Sequence, residues 1–229
     1  LRWILVPTTT AVMRTLGLVV ITVVVVGAVA WLALMIAYPD YVYRYRLTVE
    51  LEDDGKILTG SNVIEVHNQK QPRFGAVPPV LPRAIGDAIY FDLGSKGHLI
   101  ATLAFGPKGT IPDGLEVLVP KVFGLALQDR DLKRLLHGRR ELAGEDIPTL
   151  VTFSDLNDPM TARIVRPEEL PQVFGEEVRF IRAYVEMTTD PVSRAIEAKL
   201  RWLPHPQYLN GHACDPTKPH CLHGGDFMR

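Results

Sequence analysis

The chain has 229 residues, with 25 basic and 26 acidic side chains, and 47% of it is hydrophobic. Two of the basic residues, Arg2 and Arg14, lie in residues 1–38 and no acidic one does, so the remainder carries a formal charge of −3. That near-neutral balance gives no reason to expect nucleic-acid binding, which needs a basic footprint, and the remaining length fits one compact domain with or without a tail.

Residues 1–14 read as a short N-terminal tail. Thr15 to Tyr38 then runs 24 residues without a charge. At 1.5 Å per residue this is about 36 Å of helix, against a hydrocarbon core of about 30 Å. A transmembrane helix is the expectation, because a single span must satisfy its own backbone hydrogen bonds. The rival is a cleaved signal peptide, with Arg14 as the charged region, Leu16 to Gly27 as the apolar region and Ala28-Val29-Ala30 as the cleavage site. The apolar run continues through Trp31, Leu32, Leu34, Met35 and Ile36, which favours a retained anchor. The flanking charges are tied, Arg2 and Arg14 before and Arg44 and Arg46 after. The expected arrangement is a short tail inside a bacterial inner membrane and the main domain in the periplasm. Tyr38 and Tyr41 suit an interfacial aromatic belt, and Tyr43 and Tyr45 suit a strand core. Ala33 and Ala37 form a small-xxx-small pair on the helix.

Residues 39–203 are expected to form an α+β extramembrane domain, rich in β-hairpins and carrying two or three helices. Tyr43 to Glu52 alternates strictly, with Tyr43, Tyr45, Leu47, Val49 and Leu51 on one face, which predicts a half-buried strand. Asp53-Asp54-Gly55 is hairpin-turn chemistry, and Ile57 to Val66 is the predicted return strand. Gly60, Ser61 and Asn62 predict a bulge or an edge within it. Gln71 to Arg83 contains Pro72, Pro78, Pro79 and Pro82 and reads as an extended crossover, with a polyproline ligand as the alternative. Ala88 to Leu93 and His98 to Phe105 flank Gly94-Ser95-Lys96-Gly97 as a second hairpin. That turn lacks the spacing of a phosphate loop. Leu115 to Val122 is predicted as a short strand interrupted at Pro120.

Gln128 to Leu142 is predicted as a helix, with Leu132, Leu135, Leu136 and Leu142 as its apolar stripe. Its outer face would carry Arg130, Lys133, Arg134, Arg139 and Arg140, either a patch for anionic lipid headgroups or a solvated face. Thr149 to Phe153 and Thr161 to Val165 read as strands around an Asx turn at Asp155, Asn157 and Asp158, whose oxygens lack EF-hand spacing. Pro167-Glu168-Glu169-Leu170 starts a short helix ended by Gly175. Glu177 to Met187 reads as a central strand with two mostly apolar faces, one including Phe180 and Tyr184, the other Ile181, Ala183 and Val185. Asp190-Pro191 is predicted to cap a last helix from Val192 to Leu203.

The segments Tyr43-Arg44-Tyr45-Arg46-Leu47-Thr48-Val49-Glu50 and Thr59-Gly60-Ser61-Asn62-Val63-Ile64-Glu65-Val66 resemble a pattern in uncharacterised bacterial membrane-anchored envelope proteins. Leu150-Val151-Thr152-Phe153-Ser154-Asp155, Asp158-Pro159 and Phe174-Gly175 resemble the same group. The resemblance implies a bacterial, membrane-anchored, single-domain protein and assigns no activity.

Residues 204–229 form a Cys/His/Pro-rich tail holding both cysteines, Cys214 and Cys221. In an exported protein the pair is expected to close a disulfide loop. The competing reading is a metal site, most plausibly zinc, drawn from Cys214, Cys221, His212, His220 and His223. No zinc-protease, nucleophile-elbow, dinucleotide or C-x-x-C motif occurs, so the sequence names no catalytic or cofactor-binding residue. Glu50, Glu52 and Glu65 are scattered carboxylates that solvated strand faces carry routinely. The reading is a non-enzymatic envelope protein, anchored in lipid through residues 15–38, whose domain binds another membrane or periplasmic protein. The alternatives are an accessory subunit of a membrane complex and a metal protein built on the tail.

Overall fold

The protein is described from a computed structural model covering residues 9–38, 40–70, 80–106, 114–125, 137–203 and 224–228. Helix α1 (Thr9–Ala37) contains the apolar stretch, and Leu16–Ala37 buries none of its surface against the rest of the protein. It is long and apolar enough to be a membrane span or a signal helix. Only Tyr38 and Pro39 separate it from the first strand.

The rest is an α+β domain built on two antiparallel sheets. The first has the order β3-β2-β1-β9-β6, from β1 (Asp40–Asp53), β2 (Lys56–Lys70), β3 (Val80–Ile85), β6 (Arg139–Leu142) and β9 (Arg179–Met187). The second has the order β4-β5-β7-β8, from β4 (Ile89–Asp92), β5 (His98–Phe105), β7 (Pro148–Phe153) and β8 (Ala162–Val165). The main core lies between them. Tyr43, Tyr45, Leu47, Val49 and Leu51 meet Ile89, Phe91, Leu99, Leu103 and Leu150 there, as the alternation of β1 predicts. A second cluster covers the other face of the second sheet. In it Ile100, Val151 and Phe153 pack against Ile196, Leu200, Trp202, Leu203 and Phe227.

The β1–β2 hairpin keeps one register from Asp40↔Gln69 to Asp53↔Lys56. Asp54 and Gly55, with φ of 51° and 72°, make its turn. No bulge occurs at Gly60–Asn62. Gly60 lies against Phe91, where an added Cβ would sit 2.6 Å from the ring. The edge expected there is present, because β3 pairs with β2 only from Glu65 onward. Pro82 sits in that outermost strand, where its missing N–H is tolerated. Residues 71–79 of the proline-rich stretch lie outside the described residues.

Three predicted elements differ. Residues 115–122 belong to helix α2 (Gly114–Val122), not a strand. Pro120 has no N–H to offer the Glu116 carbonyl one turn earlier. The Tyr43 hydroxyl donates to that carbonyl at 3.3 Å, and Tyr45 donates to the Leu115 carbonyl at 2.9 Å. Of the helix predicted over 128–142, residues 128–136 lie outside the described residues and residues 139–142 are strand β6, paired with β9. Gly138, at φ 78°, breaks the helical pattern. In place of a helix over 192–203 there is one 3₁₀ turn, Ile196–Ala198. Its entering N–H groups, of Ala195 and Ile196, are bound by the Asp87 carboxylate.

Strand β9 is central, as predicted, but its faces are not as read. Leu51 pairs with Phe180 and Glu50 with Arg182, which leaves Ile181 as a bulged extra residue. Phe180 therefore turns toward the core together with Ala183 and Val185, while Arg182 and Tyr184 share the outer face. Helix α3 (Leu170–Phe174) and the Asx turns at Asp155 and Asp158 stand where the sequence places them.

Candidate functional site

A cleft of about 370 Å³ lies at one end of the second sheet. Its floor is Pro148, Thr149 and Leu150 of β7 with Ile164 and Val165 of β8. Gly106, at the end of β5, forms one wall, fixed by its N–H to the Ile147 carbonyl at 3.0 Å and by the Thr149 hydroxyl to its own carbonyl at 2.6 Å. Arg166 and Glu168 form another wall as the chain turns from β8 toward α3. The Arg166 guanidinium is held in place there. It donates to Glu169 Oε1 at 2.7 and 3.0 Å, while its backbone N–H donates to Oε2 at 3.0 Å. These bonds hold the Glu169 carboxyl below the usual range, the backbone bond contributing most. Glu145 completes the rim.

This lining is mostly apolar, with fixed charges only at the mouth, which suits binding rather than bond-making. Strand β8 is the last strand of its sheet, so among the described residues its outer edge pairs with no further strand. No family model, curated protein or solved structure matches the chain.

The residues singled out from the sequence are distributed elsewhere. Cys214, Cys221, His212, His220 and His223 lie outside the described residues, as do Arg130, Lys133 and Arg134. Arg139 and Arg140 are on strand β6, where successive side chains point to opposite faces, rather than on one helix face. The Arg139 guanidinium lies 3.3 Å from the centroid of the Tyr184 ring, and Arg140 lies 4.6 Å from that of Phe123. Among the described residues no group of three or more His, Cys, Asp or Glu side chains has a metal-holding geometry.

Two of the scattered carboxylates, Glu50 and Glu65, face cations, not each other. Glu50 accepts from Arg182 at 2.8 Å. Glu65 accepts from Arg44 at 2.5 Å and lies 2.7 Å from His67 Nε2. The Arg182 hydrogen bond lowers the Glu50 carboxyl, and the His67 and then Arg44 bonds lower Glu65. Both are ionised at neutral pH and unsuited to act as proton donors.

One cluster escaped the sequence reading. The Tyr90 hydroxyl lies 2.6 Å from His98 Nδ1 with the rings stacked, and Lys199 Nζ sits 4.8 Å from the Tyr90 ring centroid. Asp92 reaches the same nitrogen only at 3.9 Å. Burial, and then the Asp92 charge, raise the Tyr90 hydroxyl, so it stays protonated at neutral pH. The available signal was the hairpin register that puts Asp92 opposite His98.

Proposed function

We propose that the chain is a non-enzymatic, membrane-anchored envelope protein whose domain holds a segment of another membrane or periplasmic protein. The observation that carries this reading is the apolar cleft lying directly beside the open edge of β8. An extended segment hydrogen-bonded along that edge would place alternate side chains toward the cleft, the mode by which sheets recruit peptides. The short link between α1 and β1 supports a domain held close to a bilayer, with the periplasmic side of a bacterial inner membrane as its place. The likeness of residues 43–50 and 59–66 to bacterial envelope proteins agrees with that placement.

The test is a photo-crosslinking amino acid at Arg163, an exposed position on β8, in the full chain in native membranes. The same probe at Asn157, in the neighbouring Asx turn, is the control. A heavier polypeptide adduct from position 163, absent from 157 and lost when Ile164→Asp puts a charge in the cleft, is the expected result. Irradiation that leaves the position 163 variant at its own mass refutes the strand-edge reading.

A further inference from the structure

We propose that the outer face of the β2–β3 ribbon, at the end joined to α1, is a binding site for the headgroup of an anionic phospholipid. The proposal rests on the reading of α1 as a retained membrane anchor. Two rungs of the sheet define the site. One sets Asp40 of β1 opposite Gln69 and then Leu81, and the next sets Val42 opposite His67 and then Arg83. Asp40 follows α1 after Tyr38 and Pro39, so the chain holds this rung within about 11 Å of the helix end. The second rung is about 7 Å further along the strands. A helix that ends at the hydrocarbon boundary puts the first rung at most about 11 Å and the second at most about 18 Å beyond it, so a strand running along the surface brings Leu81 next to the interfacial layer, about 5–8 Å thick, and lets the long Arg83 side chain reach back toward it.

The chemistry of the face fits that position. His67, Gln69, Leu81, Pro82 and Arg83 line a shallow cleft of about 360 Å³. Two carboxylates belong to this end of the face: Asp40, at the β1 end of the first rung and two strands from Leu81, and Glu65 on the following rung, which is already held by Arg44 and His67. Arg83 is exposed and makes no hydrogen bond or ion pair among the described residues, which leaves its guanidinium for a phosphate diester. Leu81 is 43% exposed beside it, an apolar side chain suited to the acyl boundary below a headgroup. A cation, the Gln69 amide and an apolar neighbour are thus gathered within reach of lipid phosphate. A peptide partner would explain the apolar side chain, but not the unpaired arginine this close to the anchor.

The experiment uses the full chain in vesicles of phosphatidylcholine, alone or mixed with headgroup-labelled phosphatidylglycerol. Quenching of Trp31 by lipids brominated on the acyl chain reports whether α1 is inserted. A photo-crosslinking amino acid at Leu81 then reports which molecule occupies the cleft. With Trp31 quenched, the label is expected to exceed the bulk share of phosphatidylglycerol. It should fall about fivefold in Arg83→Gln, the worth of one near-surface cation, and persist in Arg83→Lys. Labelling at the bulk share, equal labelling of Arg83→Gln, or adducts with polypeptide alone would overturn the lipid site while leaving the anchor intact. An unquenched Trp31 would overturn the anchor, and the site with it.

Discussion

Asp87 ties together three distant parts of the chain, and its removal is the sharpest test of how the domain closes. The residue is 1% exposed and lies between the two sheets' first edges, just before β4. Its Oδ2 accepts from the N–H groups of Ala195 at 2.7 Å and Ile196 at 3.2 Å. Its carbonyl accepts from Asn62 Nδ2 at 2.9 Å, and its backbone bridges to Met228. Ser193 closes the latch by hydrogen-bonding the Asn62 side-chain oxygen. Asp87→Ala deletes two charge-assisted bonds, each contributing about 1.5–3 kcal/mol. It also removes Oδ1, a buried oxygen with no partner among the described residues, whose desolvation offsets about 1–3 kcal/mol of that loss. The net cost is about 2–3 kcal/mol, or a drop in Tm of about 5–10 °C for a domain of this size. Asp87→Asn keeps one acceptor oxygen and should lose roughly half as much.

The assay is thermal unfolding of the full chain in detergent, followed by far-ultraviolet circular dichroism and by emission of the buried Trp202. If Asp87→Ala unfolds within about 1 °C of the parent, or Asp87→Asn falls as far as Ala, the latch does not hold the C-terminal segment as argued.

Three further outcomes follow from the packing and the charges. Gly60→Ala drives a methyl group into Phe91, which is packed in the main core, and should cost about 1–3 kcal/mol in the same melt. Phe227→Ala empties a site 1% exposed, with ring centroids 5.9 Å from Phe153 and 5.5 Å from Trp202. It should cost about 3–5 kcal/mol and red-shift the Trp202 emission, whereas an unshifted spectrum would place the C-terminal end outside the core. The lowered carboxyls of Glu50, Glu65 and Glu169 set the acid limb of stability. Their contribution is complete above the unfolded value of about 4.3 and is lost as pH falls from there through the folded values. Arg182→Met removes the main cause for Glu50 and should flatten that limb, so an equally steep acid loss in denaturant titrations would count against the pairing.

The parts of this fold that were legible are those where periodicity and burial coincide. Strand β1 alternates from Tyr43 to Glu52, and Tyr43, Tyr45, Leu47, Val49 and Leu51 are core, because that face meets the second sheet. The misread parts are those where a distant group changes what the local pattern means. Leu115 to Val122 reads as a strand interrupted at Pro120, yet it is a helix in which the Tyr43 hydroxyl, 73 residues from Glu116 in sequence, supplies a donor to the carbonyl that proline cannot serve. Ile196 and Leu200 keep helical spacing and are buried, but the backbone N–H groups that would start the helix go to Asp87, more than 100 residues earlier. The faces of β9 were inverted at one end by a bulge that no residue type at Ile181 announces. The cleft is the same case on a larger scale. Gly106, Glu145, Pro148, Ile164 and Arg166 come from three neighbouring strands and their turns, and none is unusual in its own segment. A site of that kind is made by strand order, in which β5, β7 and β8 become neighbours although β6 intervenes in the chain. The open edge of β8 beside it follows from the same strand order, so the cleft and the strand edge stand or fall together as a binding surface. Charging Ile164 within the cleft should therefore abolish any adduct captured at Arg163 on the edge.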